Sequence, residues 1–338
     1  MKNIYKIILF SIIFSIIFLI LGSIIGYTIG FNKEHSVLVN ELNILHPIRL
    51  NSPSHKLIDP LLVYVIPSAD QDSSLRLLKN KISDLIRAEK QKGLNKASVF
   101  MLDLNQGRWI GINENDVYPP ASMFKVVIMV AYFKGAEQIP GLLDKKLTYT
   151  KDIDEKTKSV AFNSQTNLKV GMDYTVSELI DKMIGDSDNG AEELLFSSLD
   201  PNFFSEFFKI LDINNFTPDG NFFISPRQYS LFFRIIYNAT YLNIDLSEKA
   251  LDILSNTNFK DGLVAGVPAD TTVAHKYGEY ISSKDNKITG IDLHDCGIVY
   301  YKDNPYFLCI MTNGNNLDEL KSVIKNISSL VYQNHQAN

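Results

Sequence analysis

Apolar and polar positions are distributed in three different ways along this chain, and each predicts a different kind of element. Residues 7–29 carry no charge, a run of 23 residues that is long enough to cross a bilayer as a helix. Lys2 and Lys6 precede it, which favours a cytoplasmic N-terminus. A cleaved signal peptide would have a shorter apolar stretch ending at a small-x-small site, and Gly22-Ser23-Ile24-Ile25-Gly26 is a poor one. The pattern predicts an uncleaved anchor over residues 1–31. Periodicity then disappears: Pro47, Pro53, Pro60 and Pro67 punctuate residues 32–71, which read as a linker.

From residue 72 the periodicities are those of a folded domain. Leu75, Leu77, Leu78, Ile82, Leu85 and Ile86 form a stripe among lysines and arginines, predicting a helix over 73–92. Residues 97–104 and 108–112 predict a hairpin closed by Asn105-Gln106-Gly107, with Trp109 as a packing residue. Pro119 and Pro120 hold the next stretch extended. The solid apolar run 126–132 then predicts a helix that begins near Ser122 and is enclosed by protein. A polar excursion over 149–167 leads to a helix over 175–184, capped by Thr175 with Glu178 three residues on. A short polar loop, 185–190, separates it from another helix beginning at Ala191. Ser225 and Pro226 start a later helix as cap and first residue. Residues 271–278, 296–301 and 306–311 read as strands, and 317–332 as a closing helix. Strands at both ends and helices between them predict an α+β fold, with one antiparallel sheet, helices packed on it and a helical subdomain, as a single domain over 72–334.

Composition narrows the function. The chain has 338 residues, 45% hydrophobic and 21% charged, which suits a globular protein with an appendage. A net charge of -5 supplies no basic field, so nucleic acid is not an expected partner. Two cysteines exclude a disulfide framework, and six scattered histidines lack metal-ligand spacing; no metal or cofactor is expected. Cys296 and Cys309 fall on paired strands, where two buried thiols and a cross-strand bond are both open.

The chemistry starts at Ser122-Met123-Phe124-Lys125. Residues three apart on a helix are neighbours, so Ser122 and Lys125 can touch. A serine hydroxyl is a poor nucleophile until a base takes its proton. A lysine sunk in a packed helix is desolvated, which lowers its pKa and makes the neutral amine accessible. The helix start adds backbone N–H groups where an oxyanion could form.

Ser187-Asp188-Asn189 and Lys276-Tyr277-Gly278 follow in the same chain order. The three pieces together resemble the Ser-x-x-Lys, Ser-Asp-Asn and Lys-Thr-Gly set of class A β-lactamases and penicillin-binding proteins. Residues 176–195 and 264–270 are similar to that family's flanking segments, and the resemblance spans about 72–334. It implies a class A β-lactamase-like fold and acyl transfer at Ser122, on a β-lactam or a peptidoglycan-like amide. Lys125 would be a base for the attack, Ser187 a relay to the leaving nitrogen, and Lys276 a source of positive potential. Asn189 would orient substrate and Lys125. Tyr277, Gly278 and Glu279 would border the substrate, with the N–H groups of Ser122 and Glu279 around the oxyanion.

Two departures bear on the reaction. The family's Glu-x-x-Leu-Asn motif, whose glutamate activates the deacylating water, is absent between Ser187 and Ser225. Asp219, the carboxylate nearest the tip of the shortened segment 212–220, reads as a turn residue. Tyr277 replaces threonine and shares a strand face with Glu279, where the family binds a substrate carboxylate. No arginine follows Arg234 to offset that acid. The expectation is a membrane-anchored serine hydrolase, facing out of the cytoplasm, with deacylation impaired and no partner protein predicted. Its rivals are a working β-lactamase that uses another base, such as Glu279 or Asp219, and a non-catalytic envelope-binding module.

Overall fold

A computed structural model of the chain describes residues 48–50, 54–63, 73–160, 166–214, 217, 221–284, 287–302 and 304–335. The expected anchor over 7–29 and Asp219 lie outside these residues. Among the described residues, no helix is long and apolar enough to cross a membrane.

The centre is a five-stranded antiparallel sheet made from both ends of the domain. Strands β3 (Leu94–Asp103) and β4 (Trp109–Ile112) come from the first part, and β7 (Val273–Lys284), β8 (Lys287–Val299) and β9 (Tyr306–Gly314) from the last. Their order across the sheet is β4-β3-β9-β8-β7, so β7 is an edge strand. Side chains alternate across a strand, and here the two faces build two cores. Val99, Met101, Leu308 and Ile310 face Leu78, Ile82 and Ile86 of α1 (Ser73–Lys90) and Val323, Ile324 and Ile327 of α9 (Leu317–Asn334). Phe100, Leu102, Phe307, Cys309 and Met311 belong to the larger core, which the helical middle of the chain fills.

That middle comprises α2 (Lys125–Ala136), α3 (Lys151–Val160), α4 (Val176–Gly185), α5 (Asn189–Ser197), α6 (Pro201–Ile210), α7 (Pro226–Tyr237) and α8 (Ile244–Ser255). Every residue of α2 from Lys125 to Phe133 is buried, so this stretch of the helix has no solvent face. Thr175 and Ser225 each close a reciprocal capping box, with Glu178 and Gln228. A small ladder, β5 (Lys146–Thr148) with β6 (Asp173–Thr175), precedes α4. Part of the segment read as a linker is fastened to the body. Strands β1 (Ile48–Arg49) and β2 (Leu61–Val63) pair, and the Glu248 carboxylate of α8 accepts from the backbone N–H groups of Lys56, Leu57 and Ile58.

Cys296 and Cys309 are directly opposite in the β8–β9 ladder and form a disulfide. Of the two states open from the sequence, the bonded one is present. Helices α3, α6 and α8 fall outside the elements expected from hydropathy: α3 has an almost wholly polar sequence, and α6 ends just before the segment 212–220 that reads as shortened.

Candidate active site

The turn that carries Ser122 is a short 3-10 segment, Ala121–Phe124, running directly into α2. Ala121 sits at φ 49, a left-handed conformation that costs an L-residue energy and persists only when its surroundings hold it. Those surroundings are specific. The His294 Nε2–H donates to the carbonyl of Pro119 at 3.1 Å, and the Tyr229 hydroxyl donates to the carbonyl of Met123 at 3.0 Å. Tyr118 bridges Ile224 through backbone hydrogen bonds. On the other side, Gly278 of β7 lies against the turn so closely that a Cβ there would stand 2.6 Å from the Pro120 carbonyl oxygen. Only glycine permits this approach.

Lys125, the first residue of the buried helix, brings its amine back to the serine. Its Nζ donates to Ser122 Oγ at 2.9 Å, to the Ser187 carbonyl at 2.8 Å, to Ser187 Oγ at 3.2 Å and to Asn189 Oδ1 at 2.7 Å. Ser187 is in the left-handed region at φ 58, in the loop between α4 and α5. Lys276, fully buried on β7, donates to the same Ser187 hydroxyl at 2.9 Å. One hydroxyl therefore joins two buried amines. Burial pushes the pKa of Lys125 below the ordinary lysine value, partly opposed by Glu192 and Asp188. Lys276 is pushed well below it, by burial first and by Lys125 second. A neutral amine is accessible at this site because water cannot stabilise the charged form.

The residues expected to border the substrate, Tyr277, Gly278 and Glu279, lie along the same edge. The Tyr277 ring stacks on Phe259 with centroids 4.1 Å apart, and Lys276 Nζ is 4.4 Å from the Tyr277 ring centroid. Burial raises the Tyr277 pKa, and a hydrogen bond with Ser187 opposes this. Glu279 is exposed, two residues along β7. The structure thus brings Ser122, Lys125, Ser187, Asn189 and Lys276 into one contact network, with Tyr277 and Gly278 beside it and Glu279 at its margin.

Asp188, the middle of the Ser-Asp-Asn piece, is turned away from this chemistry. Its carboxylate caps α5 through the Ala191 N–H and accepts from the Asn167 N–H. Behind Lys276 a buried chain runs from Thr257 Oγ1 to His275 Nε2 at 2.7 Å, then from His275 Nδ1 to Asp295 at 2.7 Å. The other Asp295 oxygen accepts the Leu263 N–H. This chain fixes the β7–β8 pair and offers no exposed nucleophile.

One residue of the network was not found from the sequence. Glu192 of α5 places Oε2 3.2 Å from Lys125 Nζ. Its position three residues after Asn189, one helical turn on, was the available signal.

A sheet assembled from both ends of the domain, with a serine–lysine pair at the head of a buried helix, defines an active-site serine hydrolase of the β-lactamase and penicillin-binding type. The profile of the Beta-lactamase enzyme family matches residues 77–335, and the chain belongs to that family. Among solved structures it is similar to a mutant of PBP-A in acyl-enzyme complex with penicillin G: 25% identity, TM-score 0.65, covering 77% of this chain and 96% of that one. It is 25% identical over 213 residues to a β-lactamase of Kitasatospora aureofaciens, covering 58% of this chain and 68% of that protein. A third similarity, to β-lactamase L2 of Stenotrophomonas maltophilia, reaches 35% identity over 98 residues, 29% of this chain and only 31% of that protein.

Proposed function

We propose that Ser122 is acylated by a β-lactam or a peptidoglycan-like amide, outside the cytoplasm, in a protein held to the membrane by residues 7–29. The observation that carries this reading is the 2.9 Å contact between Ser122 Oγ and Lys125 Nζ, with Ser187 joined to both buried amines. In this mechanism neutral Lys125 takes the Ser122 proton as Oγ attacks the amide carbon. The oxyanion sits at the N–H groups of Ser122 and Glu279, next to the close approach at Gly278. When the C–N bond breaks, Ser187 passes a proton to the leaving nitrogen and is reprotonated from Lys125. Lys276 keeps the potential positive, and Asn189 holds Lys125 and substrate in register.

Deacylation is slow in this reading, because no Glu-x-x-Leu-Asn glutamate is present to activate water. General-base help is worth about a hundred-fold to ten-thousand-fold. Mass spectrometry of the protein mixed with a fluorescent penicillin gives the test. A lasting adduct on Ser122, absent from Ser122→Ala, is expected; rapid release of hydrolysed product would make the protein a working β-lactamase. No adduct with any penicillin or peptidoglycan fragment would favour the binding module.

The natural substrate, in the same reading, lacks a carboxylate at the Tyr277 and Glu279 end of the cleft or presents it elsewhere. A phenol and an acid stand there, and no arginine follows Arg234. Tyr277→Thr combined with Glu279→Ala is expected to speed acylation by penicillin. An unchanged acylation rate would sink this account of substrate choice.

A further inference from the structure

Two lysines share the hydroxyl of Ser187, at 3.2 Å for Lys125 and 2.9 Å for Lys276. Charging both amines in so confined a space is costly unless an anion faces them. The candidates differ in what they are already committed to. Asp188 spends both oxygens on backbone N–H groups, of Ala191 and Asn167. Asp295 is bonded to His275 and to the Leu263 N–H. Glu279 is exposed on β7. Glu192 remains: among the described residues it is the one carboxylate in a salt bridge with Lys125, at 3.2 Å, and its side chain is 29% exposed.

We infer that Glu192 is a positioning residue for acylation, supplying from α5 the counter-charge for the ammonium that Lys125 becomes on accepting the Ser122 proton. The inference rests on the reading of Lys125 as the base. The proton balance is simple. The Ser122 O–H bond breaks and its proton moves to Lys125 Nζ while Oγ bonds to the carbonyl carbon. The ammonium exists, paired with Glu192, until the C–N bond breaks and a proton leaves through Ser187 to the nitrogen. Glu192 meets Lys125 directly, and its charge also favours the ammonium form of Lys276, so the Lys125 titration is the reading that isolates its role. The groups facing Lys125 are Ser122 on its own turn, Ser187, Asp188, Asn189 and Glu192 from the α4–α5 loop and α5, and Lys276 from β7, which has Asp295 of β8 behind it.

An anion beside a cation raises the cation's pKa, so removing the anion lowers it. Acylation needs neutral Lys125, and its rate therefore rises with pH through that group's titration. Glu192→Gln is expected to move this acid limb to lower pH by about one unit. It should also lower the high-pH plateau, because the remaining amine is a weaker base. Glu192→Asp, which keeps the charge, should return the limb toward its original position. The measurement is the acylation rate by penicillin as a function of pH for the three proteins, with folding checked by circular dichroism. NMR titration of protein labelled with 13Cε-lysine reads Lys125 directly, its resonance identified by loss in Lys125→Ala. An acid limb and a Lys125 titration left unmoved by Glu192→Gln would overturn the inference. So would an unmoved limb combined with a longer-lived adduct, which would make Glu192 the base for the deacylating water instead. If no penicillin acylates the parent protein, the functional reading fails by itself, and the NMR titration still decides the role of Glu192.

Discussion

The turn that carries Ser122 is held by residues that do not join its chemistry, and His294 is the most exacting of them. It is fully buried, donating from Nε2 to Pro119 and accepting at Nδ1 from the Thr312 N–H. Burial lowers its pKa from 6.5 to about 4. In the unfolded chain it takes a proton near pH 6.5, and in the folded protein only near pH 4. Between those values the unfolded state binds more protons, so stability falls as pH falls, by at most about 3 kcal/mol from this group. His294→Gln should flatten that slope: the drop in thermal midpoint between pH 7 and pH 5 becomes smaller than in the parent. An unchanged drop would mean that other groups set the acid response. The site residues legible in the sequence were those whose meaning is local. Ser122 and Lys125 are one turn apart, and Ser187-Asp188-Asn189 and Lys276-Tyr277-Gly278 are contiguous. Glu192 had only its spacing from Asn189 to mark it, because its role depends on how α5 approaches α2, and Ala191-Glu192-Glu193 alone reads as the polar start of a helix. His294 was equally hidden, since a strand histidine shows its partner only after the sheet closes.

At the scale of elements, the chain ends of helices were the clearest signals. Thr175 with Glu178 and Ser225 with Pro226 were readable as starts, because a cap satisfies backbone N–H groups within three residues. The Ser225 box begins α7, whose Phe232 and Phe233 enter the larger core. Ser225→Ala is expected to cost about 1 kcal/mol in urea unfolding with an unchanged m-value; a loss within error would mean the turn is held by Tyr118 and Ile224 alone. The strands were found but cut short. Strand β7 continues to Lys284 through Ser282 and Ser283, polar residues that end a hydropathic pattern without ending a ladder. Helix α3 went unseen because Lys-Asp-Ile-Asp-Glu-Lys offers little apolar periodicity, and α6 was passed over although Phe203, Phe204, Phe207 and Phe208 fall at helical spacing. The Phe204 and Phe208 rings of α6 pack on Phe124, inside the Ser122-Met123-Phe124-Lys125 segment, with ring centroids 5.6 Å and 6.3 Å away. The turn that carries Ser122 is thereby wedged by an element that hydropathy did not reveal.

On the scale of the whole molecule, the site lies where the helical core meets the edge of the sheet, with Lys125 from one and Lys276 from the other. Both amines are buried, and burial of an ionisable group opposes folding wherever the unfolded chain holds its proton more tightly. Lys276 is pushed well below its ordinary value, so it weakens the fold across the pH range up to the unfolded lysine value and weakens it less as pH rises. Lys276→Met should raise the thermal midpoint at pH 7 while abolishing acylation, a gain of about 2–4 °C for each kcal/mol recovered. A lower midpoint would show that the bond to Ser187 outweighs the cost of burying the amine. The disulfide carries a consequence of another kind. Cys296 and Cys309 meet in the middle of the sheet, on the face that the larger core covers. Thiols stay reduced in a bacterial or eukaryotic cytosol and oxidise outside it. Once the core has closed, neither sulfur is open to a reductant or an oxidant from solvent. The redox state found in a purified molecule is therefore a fossil of its birthplace, recording whether the sheet was assembled in a reducing or an oxidising compartment.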